Sequence, residues 1–118
     1  MRIQSAKSKG RRAQQDVAIA LVEATCGLLE PDDIRSTSMG VNGADVQLSP
    51  AARRLYPIDF EVKNVEKLSI WDAIAQAKTH GKQTPAVCFT RNHEDMYIAI
   101  SLDFFLKHYA PIKVKNEL

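Results

Sequence analysis

Ile58-Asp59-Phe60-Glu61-Val62-Lys63-Asn64 alternates apolar and charged side chains without a break. A period of two predicts a β-strand over 58–64, with Ile58, Phe60 and Val62 on one face and Asp59, Glu61 and Lys63 on the other. Upstream of it, SPAARRLYP holds Arg53 and Arg54 in a short, solvent-facing helical turn. Further upstream, 33–39 (DIRSTSM) and 45–48 (DVQL) read as extended. Asn42-Gly43 between them suits a type I′ turn, so the pair predicts a β-hairpin. Ala13, Val17, Ala20, Leu21 and Ala24 recur at helical spacing, which predicts a first helix over about 8–26, ended by Gly27.

Downstream, Ser69 with Asp72 three residues later has the form of a capping box, opening a helix that reaches His80 and stops at Gly81. In that helix Trp71 reads as core. Strands follow over 86–90 and 96–101 around the polar turn 91–95, and a last helix runs over about 102–109. The order is α-β-β-β-α-β-β-α. It predicts a single α/β domain over 1–118, a mixed central sheet flanked by helices, preceded by a basic arm over 1–12.

Composition narrows the function classes. At 118 residues, 45% hydrophobic and 25% charged, the chain has room for one core, which excludes disorder and fibrous architectures. Cys26 and Cys88 sit in apolar surroundings at no metal-ligand or redox spacing and read as buried thiols. Without an apolar run for a secretion signal or a membrane span, the expected setting is cytoplasmic. Net charge is only +2, yet five of the sixteen Lys and Arg fall within 1–12, where no acid occurs. Lys9, Arg11 and Arg12 would then stand in the first helical turn, at the positive end of the helix dipole. A phosphate partner relieves that arrangement, which favours nucleic acid over a merely solvated tail.

The chemistry-bearing residues are Asp45, after the hairpin turn, and Glu61 and Lys63, neighbours on one strand face. If the Asp45 strand pairs with 58–64, two carboxylates converge, and Mg²⁺ prefers such a site, with Mn²⁺ able to substitute. A lysine beside them could hold the attacking water and stabilise charge on a phosphate. Alternating charge is more often the pattern of the solvent face of an antiparallel sheet, and Asp59 fits that reading. The five glycines form no phosphate loop, so no nucleotide cofactor is expected. His80, His93 and His108 form no zinc spacing, and His80 reads as a cap for helix-end carbonyls.

Gly43-Ala44-Asp45-Val46 followed by Phe60-Glu61-Val62-Lys63, with the acids sixteen positions apart, resembles the PD-(D/E)XK nuclease superfamily. The chain looks most like small Holliday junction resolvases and phage-encoded resolvase-like endonucleases. They share an opening Lys-Gly helix (here Lys9-Gly10), an Arg-x-x-Ser strand (Arg35 to Ser38) and a helical glutamine (Gln76). The resemblance implies a restriction-endonuclease-like fold and metal-dependent cleavage of branched or duplex DNA. Asp45, Glu61 and the Val62 carbonyl would be metal ligands, Lys63 the catalytic lysine, and Gln76 a support for the site or the DNA backbone. Gln14 stands where these resolvases carry an acid, and would serve as a neutral oxygen ligand. Lys7, Lys9, Arg11, Arg12, Arg35, Ser38, Arg53 and Arg54 would contact DNA. A homodimer is implied, with 104–106 and Tyr109 as one surface for it. The alternatives are a noncatalytic nucleic-acid-binding module that keeps the nuclease fold, and a small interaction protein with a charged sheet face.

Overall fold

The computed structural model describes residues 3–37 and 43–117. Helix α1 (Ile3–Glu23) leads through a 3-10 turn (Pro31–Asp33) into the hairpin β1 (Ile34–Ser36) and β2 (Val46–Leu48). There follow α2 (Pro50–Leu55), β3 (Ile58–Asn64), α3 (Ile70–Ala77), β4 (Thr84–Thr90), β5 (Tyr97–Ile100) and α4 (Leu102–Glu117). This is an α/β chain with the expected order of elements. No helix among the described residues is long and apolar enough to cross a membrane.

The predicted central sheet is divided. β1 and β2 pair antiparallel, while β3 pairs parallel with β4, and β4 antiparallel with β5. Among the described residues one backbone bond joins the two sheets: the Asp45 N–H donates to the Phe60 carbonyl at 3.0 Å. The ladder stops there because the next donor on that edge, the Val62 N–H, goes instead to the Asp45 side chain at 2.7 Å. Gly43 takes φ +111°, the left-handed conformation that suits glycine in the turn. Asn42 lies outside the described residues.

Both faces of β3 are covered. Ile58, Phe60 and Val62 join Ala13, Val17 and Ala18 of α1, with Val46, Ala86 and Cys88, in the main core. Burial pushes the Cys88 thiol up to about 11. On the opposite face, Val87 packs with Ala73 and Ala77 of α3. Phe60 is fully buried and meets Tyr56 edge-on at 6.5 Å. Phe60→Ala is expected to destabilise the chain by about 3–5 kcal/mol, read as a lower urea midpoint at unchanged slope.

Several local expectations are corrected. α1 begins at Ile3, so Lys9, Arg11 and Arg12 lie past its first turn and the dipole argument for a phosphate site there lapses. The basic arm continues the helix. Its buried stripe is Ala13, Gln14, Val17 and Ala18, with Ala20 and Ala24 exposed. Cys26 is exposed rather than buried, because α1 ends in a turn where Cys26 (φ +52°) and Gly27 (φ +92°) are both left-handed. α3 presents Ile70, Ala73, Ile74 and Ala77 to the sheet, and Trp71, one position round, is 79% exposed rather than core. Ser69 bonds the Asp72 carboxylate at 2.9 Å and makes no side-chain cap to the helix backbone. α4 continues past Tyr109 to Glu117, with Pro111 inside it.

Candidate active site

β3 places Glu61 on the face covered by α3, in register with Val87. The solvated-face reading therefore fails at this residue, which is 1% exposed. Its Oε1 lies 2.8 Å from His80 Nε2, and its Oε2 lies 3.6 Å from Lys63 Nζ. That Oε2 has no hydrogen-bond partner among the described residues although it is buried. Buried polar atoms are rarely left so, which makes it an acceptor available to a ligand. Lys63, two residues along the same face, is partly exposed and closes the other side of the carboxylate.

Asp45 enters from the hairpin. Its side chain accepts the Val62 N–H while its own N–H binds the Phe60 carbonyl, so both ends of the residue are held on the edge of β3. Within a strand the N–H and C=O of one residue leave on the same edge, so the Val62 carbonyl also faces the hairpin. Burial, above all, raises the Asp45 carboxyl to about 6. The Val62 N–H opposes that shift, Glu61 adds to it through contact and like charge, and His80 opposes it. The Asp45 carboxyl thus feels both Glu61 and His80, with burial as the larger influence.

His80 was expected to cap a helix end; it contacts Glu61 instead. Thr79 and His80 tighten the end of α3 through N–H bonds to the Gln76 and Ala77 carbonyls. The loop beyond is tied to β3 by Asp59, whose Oδ2 accepts the Gln83 N–H at 3.0 Å. A Cβ on Gly81 would stand 2.7 Å from that oxygen, so any other residue there would force the Asp59 carboxylate to shift. Asp59, which suggested a solvated face, is thus the anchor of the segment that delivers His80.

The remaining site residues divide. Gln14 is 7% exposed with its Oε1 unpartnered among the described residues, and no hydrogen bond or ion pair there links it to Asp45 or Glu61. Gln76 is exposed on α3, and its side chain makes no hydrogen bond among the described residues. Lys7, Lys9, Arg11 and Arg12 all lie on the N-terminal half of α1, with no ion pair among the described residues. Arg35 pairs with Asp32 at 3.3 Å, Arg53 donates to the Leu48 carbonyl at 3.3 Å, and Arg54 is exposed on α2. Ser38 lies outside the described residues.

No three His, Cys, Asp or Glu side chains among the described residues form a ready metal-binding group. The oxygen donors near this strand edge are the Asp45 and Glu61 carboxylates, the latter with Oε2 unpartnered among the described residues, and the Val62 carbonyl, a hard oxygen set. That set fits Mg²⁺ or Mn²⁺, which keep several waters and need few protein ligands. No known protein family, curated protein or solved structure matches the chain.

Proposed function

We propose that this chain is a metal-dependent DNA endonuclease of the PD-(D/E)XK type, with a restriction-endonuclease-like fold, selective for branched DNA as small junction resolvases are. The observation that carries this reading is Glu61: a buried carboxylate with one oxygen vacant, flanked by Lys63 and held by His80, on a strand edge that also holds Asp45. A charged sheet face does not need to bury an acid, since burying one without full pairing costs several kcal/mol.

Asp45, Glu61 and the Val62 carbonyl would hold the divalent cation. When bound, it would neutralise charge on the scissile phosphate and favour deprotonation of water. Lys63 orients the attacking water and offsets charge developing on the phosphate oxygens. His80 holds Glu61 Oε1 through Nε2, which leaves Oε2 turned toward the ligand. Lys7, Lys9, Arg11 and Arg12 give α1 a cationic half that attracts the phosphate backbone without reading sequence. Gln76, exposed as it is, suits a backbone contact better than support of the carboxylates.

The test offers a four-way junction, a fork, linear duplex and single strand at low salt with Mg²⁺. The junction or fork is expected to be cut first, with EDTA stopping all cleavage. Binding to all four substrates with no cleavage under Mg²⁺ or Mn²⁺ would leave the noncatalytic nucleic-acid-binding module. Absence of binding would remove both. Raising salt from 50 to 200 mM is expected to weaken binding by at least about tenfold if three or so phosphates are contacted.

A further inference from the structure

We propose that the cavity at the end of β3 and β4 is a pocket for one unpaired nucleobase of the DNA bound at Lys63, an inference that rests on the nuclease reading above. Lys63 is in register with Phe89 of β4, and Phe89 with Tyr97 of β5. Residues in register across a sheet share a face, so both rings stand on the Glu61 and Lys63 side, one and two strands away. With strands about 4.8 Å apart, the rings lie within reach of a base whose phosphate meets Lys63. Phe89 and Tyr97 meet at 6.1 Å with a tilt of 31°, which leaves no slot between them. A base stacks instead on the open side of Tyr97, which is 58% exposed.

The cavity measures about 320 Å³, at the small end of ligand cavities and sufficient for a single nucleoside. Glu66, from the segment after β3, accepts the Asn92 N–H at 2.8 Å and so ties one wall to the 91–95 turn. Thr90 Oγ1 donates to the Glu94 carbonyl at 2.9 Å and the Glu94 N–H to the Arg91 carbonyl at 3.1 Å, which close the turn itself. Charge on the rim selects the base rather than the backbone. Glu66, Glu94 and Asp95 line the cavity, with Arg91 the single cation among the described lining residues. Such a rim repels phosphate but accepts hydrogen bonds from a base edge. Arg91 pairs with Glu94 at 3.5 Å, whereas Asp95 has no ion pair among the described residues and is the acceptor left over. A carboxylate offers two oxygens side by side, and guanine alone among the DNA bases presents adjacent N1–H and N2–H donors to match them. That edge is free only when the guanine is unpaired, which is the state the arms of a fork supply.

Equilibrium binding tests this with Ca²⁺ in place of Mg²⁺, since Ca²⁺ meets oxygen ligands without enforcing octahedral geometry. The probes are forks that carry guanine, thymine or an abasic site at each of the first three unpaired positions in turn. At one of these positions the guanine fork is expected to bind at least about fivefold tighter than the abasic fork, with thymine between them. Tyr97→Ala should remove that difference without weakening the abasic fork, Tyr97→Phe should keep it, and Asp95→Asn should bring guanine down to thymine. Tyr97 lies outside both core clusters, so the far-ultraviolet circular dichroism of the variants should match wild type. Equal binding of base-bearing and abasic forks would overturn the inference, as would a guanine preference that survives Tyr97→Ala or Asp95→Asn, or is lost in Tyr97→Phe. Mg²⁺-dependent cutting would in that case leave the nuclease reading standing. A base preference carried by Tyr97 in a protein that never cuts the fork would instead overturn that reading and keep the pocket.

Discussion

Lys63→Ala is expected to lower the rate of metal-dependent DNA cleavage by about 10²–10⁴-fold while leaving DNA affinity within a few-fold of wild type. The ammonium lies 3.6 Å from Glu61 Oε2 and is partly exposed, and in the proposed site it would face a phosphate meeting the carboxylates. Alanine removes the charge without disturbing β3, whose ladder bonds to β4 are backbone bonds. Some stability is expected to be lost as well, because the substitution leaves the buried Glu61 carboxylate with His80 as its remaining partner. Single-turnover kinetics separates the two effects: the chemical step slows while the substrate concentration giving half-maximal rate stays put. Equal loss of binding and rate would make Lys63 a DNA anchor instead.

Asp45→Asn is expected to abolish cleavage and, in metal-free protein, to raise stability at pH 8. The sign follows from its raised folded-state pKa of about 6 against an ordinary 3.8. The folded chain holds the Asp45 proton more tightly than the unfolded chain does. Ionisation of this group therefore costs no stability below about pH 4. The cost grows as pH rises from about 4 to 6 and is fully present above that. Solvent screening of a side chain only partly buried reduces the effect to about 1 kcal/mol. Asparagine keeps an oxygen for the Val62 N–H and removes the like charge beside Glu61. Urea titrations of both proteins from pH 4 to pH 8 should show the variant pulling ahead as pH rises, and Mg²⁺ should stabilise only the wild type. A variant less stable than wild type at pH 8 would contradict the cost assigned to ionising the buried Asp45 carboxyl.

The strand over 58–64 and the hairpin before it were legible because period-two alternation and a turn dipeptide are local signals. The pairing of Asp45 with β3 was legible as a possibility that needed the hairpin to approach, and it does so through one backbone and one side-chain bond. Burial of Glu61 was not legible: alternation marks two faces but does not say that α3 lies over the charged one. For the same reason His80 was misread. The signal that could have found it is the βαβ crossover itself, which returns the chain across the Glu61 face in the turn that follows the end of α3 at Ala77. Trp71 misled because aromatic burial is the commoner case, whereas α3 turns Ile70, Ala73, Ile74 and Ala77 to the sheet and leaves position 71 outside that face. The helix expected over 102–109 runs on through Pro111, since an exposed helix can satisfy the freed carbonyl with water.

The central claim is that Glu61 organises a metal-dependent hydrolytic site, and the most direct measurement compares wild type with Glu61→Gln on the same branched DNA in Mg²⁺. Glutamine preserves size and an oxygen for His80 but removes the carboxylate charge. The account predicts EDTA-sensitive cleavage by the wild type and a loss of at least about a hundredfold in the variant, with DNA still bound. Cleavage undiminished in Glu61→Gln would contradict it, as would a wild type that binds the branched DNA and never cuts it.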